Sequence, residues 1–231
     1  MATSGTRTFT LDFDEAVSQA VAIAGGEPTD AFLYRFAKRA ANLVLLDWQA
    51  RGNGLWNLTS TTAVLSASVG SYSLPADCVD VTEVMFRDDS SGDDIDTVLG
   101  RLSRSEYAML SDKATAGRPS SFFVDRQASA QTLYVWPVPD TDNAEELFYW
   151  YIRRTEDVTA YTENVGIPDR FLMPFVYGMA FQLAQIRPAL DGARRAEIER
   201  LYEASLSRAM SEDRERVPTR LVPDLSAYSR I

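Results

Sequence analysis

Residues 167–188 read IPDRFLMPFVYGMAFQLAQIRP. Phe171, Phe175, Met179 and Leu183 recur every fourth residue, and Val176, Ala180 and Ala184 form the next row. That spacing predicts an α-helix with one broad apolar face. Pro168 suits the first helical position, N1, and Arg187-Pro188 ends the run. Pro174 lies six residues after Pro168, so the helix either kinks there or starts afresh. Residues 171–186 form the longest apolar-rich segment, yet Pro174, Gly178 and two Gln interrupt it. It falls short of the about 18 consecutive apolar residues a membrane span needs. The segment is therefore read as the buried helix of a soluble, cytosolically made protein. Met1–Thr10, with one basic residue and no apolar run, is not read as a secretory signal.

Downstream, a second helix is expected from about Leu190 to Glu212, with the row Leu190, Ala193, Ile198, Leu201, Tyr202, Ser205 and Ala209. Upstream the period changes to two. Residues 64–74, containing Gly70, read as two short strands around a turn. Further strands are expected at 79–86, 95–99, 121–125, 132–136 and 146–152, rich in β-branched and aromatic residues. Ser103 and Glu106 form a capping-box pair before a short helix.

The first third is helical again. Asp12 and Glu15 suggest a capping box before Val17, Ala20, Val21 and Ala24, and Gly25-Gly26 stops that helix. A longer helix opens at Pro28-Thr29-Asp30 and ends at Gly52-Asn53-Gly54. Its stripe is Phe32, Phe36, Ala40, Leu43, Val44 and Trp48, thickened by Leu33, Ala37 and Leu46, which predicts burial on more than one side.

Helices, then strands, then helices argue for an α+β fold. The division expected is N-terminal helices over residues 1–58 and a mostly antiparallel β region over 59–160. A C-terminal helix pair over 161–213 joins the N-terminal helices in one helical body, and 214–231 form an extended arm. The arm has Pro218 and Pro223 and no period, yet holds Val217, Leu221, Val222, Leu225, Tyr228 and Ile231. Disordered tails are poorer in large apolar residues. The proline spacing favours an arm that docks on another subunit over one folded onto its own body.

The chain of 231 residues has 23 Lys+Arg against 33 Asp+Glu, a net charge of −10, with 45% hydrophobic residues and 11% aromatics. Such a composition builds a core and is not that of a disordered chain. Residues 187–231 hold nine Arg and eight acidic residues, so residues 1–186 carry −11. No basic stripe for duplex DNA is present. Only Lys38 and Lys113 are lysines.

There is no His, and Cys78 is the lone cysteine. That removes the usual triad base, the usual zinc ligand and any intrachain disulfide. No G-x-S-x-G, P-loop or G-x-G-x-x-G is present. Asp88, Asp89, Asp93, Asp94 and Asp96 lack the order of a calcium loop and read as a solvated hairpin tip. Glu145-Glu146 and Glu156-Asp157 are adjacent in sequence, which does not give the facing pair of a glycosidase. Cys78 reads as a small core residue. Phe148-Tyr149-Trp150-Tyr151 read as a strand buried on both faces rather than a base-stacking platform, although Arg153-Arg154 follow. No catalytic residue, cofactor or metal is assigned, and the protein is read as a non-enzyme.

Four motifs occur in order: Tyr72-Ser73-Leu74-Pro75-Ala76-Asp77 before a valine-rich strand, and Gly117-Arg118-Pro119 before Phe122-Phe123-Val124. Leu133-Tyr134-Val135-Trp136-Pro137-Val138-Pro139 then ends a strand, and Ile167-Pro168-Asp169-Arg170-Phe171 opens the long helix. Together, over roughly residues 28–212, they resemble the head-to-tail adaptor proteins of tailed bacteriophages, also called connectors or tail accessory factors. The resemblance implies a virion neck protein assembled in the host bacterial cytoplasm, about twelve copies of which form a ring below the portal. The ring would extend the DNA channel, pass genomic DNA without specific binding and offer a platform to the next tail protein. The family's terminal arm reaches along the portal; in this chain Val217, Leu221, Val222, Leu225, Tyr228 and Ile231 would carry that contact. An acidic wall suits a conduit, because it repels phosphate. Alternatives are another neck or tail ring component, such as a tail terminator or hub, a carboxylate-dependent cell-wall hydrolase, and a single-strand nucleic-acid binder.

Overall fold

The computed structural model describes residues 11–27, 31–52, 55–88, 95–127, 130–140, 145–162, 164–187 and 190–213. The arm expected at 214–231, with its six apolar residues, lies outside them, as do Pro28–Asp30 and Asp89–Asp94. In chain order the elements are α1 (Phe13–Ile23), α2 (Ala31–Ala50), a 3₁₀ turn (Leu55–Asn57), β1 (Leu58–Val64), β2 (Ser71–Ser73), β3 (Cys78–Asp88), β4 (Ile95–Val98) and β5 (Gly100–Arg101). They continue with α3 (Arg104–Met109), β6 (Ser121–Arg126), β7 (Gln131–Trp136), β8 (Glu145–Arg153), α4 (Asp169–Gln185) and α5 (Gly192–Glu212). The α+β class is as the sequence predicts.

The first core is helical and centres on α4. Phe171, Phe175, Met179 and Leu183 are fully buried, and α1, α2 and α5 each pack against this helix. Pro174 does not restart it; α4 runs unbroken from Asp169 to Gln185. Pro168 is the N-cap rather than N1: its backbone is extended (φ −63°, ψ 151°), and its carbonyl accepts the Phe171 N–H at 2.8 Å. Asp12 also caps by backbone geometry alone, without the side-chain bond of a capping box, whereas Ser103 and Glu106 form theirs in both directions.

The α2–α5 contact adds polar links. Trp48 Nε1 donates to the Tyr202 hydroxyl at 3.0 Å, and that hydroxyl donates to Asp47 Oδ2 at 2.9 Å. Arg51 grips Glu203 through both terminal nitrogens, at 3.0 and 2.9 Å, and reaches Asp47. Burial, then the Asp47 carboxylate, pushes the Tyr202 phenol well up, so it stays a donor.

α2 corrects one expectation. Its buried face is Leu33, Ala37, Ala40, Ala41, Val44, Leu45 and Trp48, while Phe32, Leu43 and Leu46 are 46%, 41% and 42% exposed. Neighbouring helices cover one side only; the second apolar side faces out.

The second core lies between two four-stranded sheets, ordered β1-β8-β3-β4 and β2-β7-β6-β5, antiparallel except for the β5–β6 pair. Phe86, Leu147, Tyr149 and Tyr151 of one sheet meet Phe122, Val124, Leu133 and Val135 of the other. The two strands expected within 64–74 do not pair around a turn. β1 ends at Val64 and β2 belongs to the opposite sheet, so 65–70 is a crossing between sheets, anchored by the fully buried Leu65. Leu99, 4% exposed, anchors another crossing, from β4 to β5. α3 covers the outer side of the second sheet by stacking Tyr107 on Phe123, centroids 4.9 Å apart.

Gly178 sits where α2 and α5 cross α4. A Cβ there would lie 2.9 Å from Tyr202 Cε2 and 3.0 Å from both Val44 methyls. The Tyr202 ring is held by two hydrogen bonds and cannot give way. Gly178→Ala is therefore expected to destabilise by about 1–2 kcal/mol, overpacking outweighing the helix propensity gained. Gly192, with nothing within 4 Å of its Cβ position, is the control. Urea unfolding of the two variants checks the difference.

Candidate interaction surfaces

The residues that might carry chemistry are placed apart. Among the described residues no three His, Cys, Asp or Glu side chains gather as a metal site. Asp96 forms a two-bond rung with Arg87 across β3 and β4, at 2.8 and 2.9 Å, which holds its carboxyl below the usual range. Glu145 and Glu146 begin β8, and Asp157 pairs with Arg154. A cavity of about 390 Å³ is lined by residues 156–159 and 164–166; its carboxylates, Glu156 and Asp157, are chain neighbours, not an opposed pair.

The motif residues serve the sheet crossings. Tyr72 donates its hydroxyl to the Val69 carbonyl at 2.8 Å and accepts the Ser66 N–H. The Pro75 carbonyl takes the Cys78 N–H, and the Asp77 carbonyl takes the Arg154 N–H at 2.7 Å. Gly117 has φ +155°, which disfavours a side chain, and donates to the Val138 carbonyl. It places Arg118 over the Phe86 ring, 4.4 Å from its centre. In the fourth motif Arg170 pairs with Asp213, tying the start of α4 to the end of α5.

What the described surface offers is apolar area. The first patch is the outer side of α2: Phe32, Phe36, Leu43 and Leu46, with the Phe32 and Phe36 rings 5.2 Å apart. A cleft of about 230 Å³ runs beside it, reaching Gln182 and Ile186 of α4. The second is a groove of about 380 Å³ between α1 and α4, lined by Leu11, Gln19, Ile23, Leu172, Met173 and Tyr177 among others.

The third is the outer face of the first sheet. The aromatic run is not buried on both faces. Tyr149 and Tyr151 point into the core, while Phe148 and Trp150, edge-on at 5.9 Å, alternate onto the other face and are half-buried. The register puts Met85 beside Phe148, Val98 beside Met85, and Leu58 beside Ile152. Arg87 stacks over Phe148 at 4.7 Å. The groove and the sheet face are each made by residues distant in sequence, so no local period reveals them. The α2 patch is part of the apolar stripe that the helical period shows, on the side that faces out.

An α+β chain with two cores, whose described surface presents apolar faces, is built as a protein-binding structural component. Residues 3–224 match the SU10 adaptor protein family, and the chain belongs to that family of phage head-to-tail adaptors. No curated protein matches it. Membership makes it a phage adaptor, a virion neck component that works with portal and tail proteins. No helix among the described residues is long and apolar enough to cross a membrane.

Cys78 is 6% exposed, and burial, helped by the nearby Asp80 and Asp77 charges, pushes its thiol from 9.0 up to about 11. At neutral pH that leaves about 100-fold less thiolate than an ordinary cysteine. Iodoacetamide is expected to label the native protein at least that much more slowly than the urea-unfolded one. Equal rates would make Cys78 an accessible nucleophile.

Proposed function

We propose that this adaptor forms a ring below the portal, about twelve copies strong, which extends the DNA channel and carries the attachment platform for the tail. Its work is binding, without catalysis, cofactor or metal. The observation that carries the reading is family membership across residues 3–224, joined to apolar side chains exposed among the described residues. Covering such faces by other subunits removes apolar area from water, the main favourable term in association.

In this reading residues 1–58 and 161–213 make the helical body, 59–160 the β region, and 214–231 the arm that reaches the portal. Val217, Leu221, Val222, Leu225, Tyr228 and Ile231 fill pockets on the portal, ordering the arm as it binds. The copies assemble in the host bacterial cytoplasm, and DNA passes the lumen without specific contacts. The net charge of −11 over residues 1–186 favours such a lining, since acidic walls repel phosphate.

The test removes residues 217–231 and follows co-sedimentation with the portal of the same phage. The truncated chain is expected to lose portal binding while keeping its helical circular dichroism. Unchanged co-sedimentation would overturn the arm's role.

A further inference from the structure

We propose that the outer ridge of α2 on one copy seats in the α1/α4 groove of the next, so that copies join head to tail through two different faces. The inference deepens the ring reading, on which it rests, by naming the contact between copies.

The ridge has the spacing of a helix-packing seam. Phe32, Phe36, Arg39, Leu43, Leu46 and Ala50 follow in steps of four and three, the pattern of core positions in a coiled coil. Phe32, Arg39, Leu43, Leu46 and Ala50 are exposed, off the side of the buried Leu33, Ala37, Val44 and Trp48, and Phe36 is half-buried at the ridge's edge against the helical core. α2 therefore carries two seams, and the chain's own α4 and α1 occupy only one.

The groove has the complementary form. Two helices wall it, its exposed area is mostly apolar, and Met173, 58% exposed, stands at its rim. A row of large side chains on one helix packs into the groove between others, as in ordinary helix packing.

Charge supports the match. Arg35 and Arg39 are exposed on the ridge. Glu15 and the N-cap Asp12 lie one and two turns before Gln19 on the α1 row that borders the groove, and Asp169 lines it; all three are exposed. A basic ridge thus faces an acidic rim in a protein whose net charge of −10 opposes unspecific self-association.

The second copy is the occupant because this one contact covers both faces. Ridge against ridge would leave the acidic groove open, and a foreign partner in either face would leave the other uncovered. A heterologous contact repeated from copy to copy closes into a ring when its rotation allows.

Two variants test it. Leu43→Glu/Leu46→Glu spoils the ridge and Met173→Glu spoils the groove, all at exposed positions. Sedimentation velocity over a concentration series should show the parent associating and each variant alone monomeric, with unchanged melting. A mixture of the two variants should give one-to-one pairs that grow no further, joined by the intact ridge of one and the intact groove of the other. A groove variant that still self-associates, a mixture that stays monomeric, or a parent that never associates overturns the contact. Association that appears only after residues 214–231 are removed puts the chain's own arm on these faces and also overturns it. Portal co-sedimentation of the parent is scored separately: retained with no self-association, it sinks the helix contact and leaves the adaptor reading standing. Lost with the mixing result intact, it sinks the adaptor reading alone.

Discussion

Everything in the helical half depends on the packing of one helix. α4 must present Phe171, Phe175, Met179 and Leu183 to helices that arrive from both ends of the chain, with the whole β region between them in sequence. Closing so long a loop costs conformational entropy, though the cost grows only slowly with length. It is offset where α4 is crossed: the aromatic contacts of Trp48 with Phe171 and Phe175, centroids 5.3 and 6.1 Å apart, and the close approach that Gly178 permits. The bonds from Trp48 to Tyr202 and from Tyr202 to Asp47 then fix the rotation of α5 against α2. Apolar burial supplies the drive, and the buried polar pair supplies the register.

The β region obeys a different constraint. Two sheets that share one core need the chain to pass from one to the other, and each passage must bury a side chain while keeping its backbone bonded. Leu65 fills that role between β1 and β2, and Leu99 between β4 and β5. Around the first passage Tyr72 bonds back to Val69 and Ser66. Arg101, on the second sheet, reaches the Val81 carbonyl and Asp80 on the first, at 2.9 and 2.8 Å. The family-like motifs thus act as structural punctuation. In the proposed reading, function lies on the faces that this punctuation leaves exposed.

Local pattern revealed the element types but not every partner. The α4 rows, the Ser103–Glu106 capping box and the strands at 121–125 and 132–136 follow from spacing and capping chemistry that act within a few residues. The route through residues 64–74 did not, because period two says a segment is extended and cannot say which sheet takes it. α2 failed for a related reason. A 3.6-residue period shows that a helix has apolar stripes, but with two stripes the choice of the inward one belongs to the partner helices. The side that α4 meets carries Leu33, Ala37, Ala40, Ala41, Val44, Leu45 and Trp48, which leaves Phe32, Leu43 and Leu46 outside. The interaction surfaces were the least legible part, since the groove joins Leu11 and Ile23 to Leu172 and Met173 across most of the sequence.

A helix with two apolar sides is a hazard for a chain that must stay soluble until it reaches its site of assembly. The structure limits that hazard by composition. The outer side of α2 is interrupted by the exposed Arg39 and flanked by the exposed Arg35, whose charges keep that side hydrated. A single helix ridge gives one contact between two copies little to hold it. In a ring each copy makes the contact twice, and a copy already held beside its neighbours meets the next at high effective concentration. Weak pairwise affinity and a firm assembly are then compatible: the chain need not associate strongly in solution for the closed form to hold.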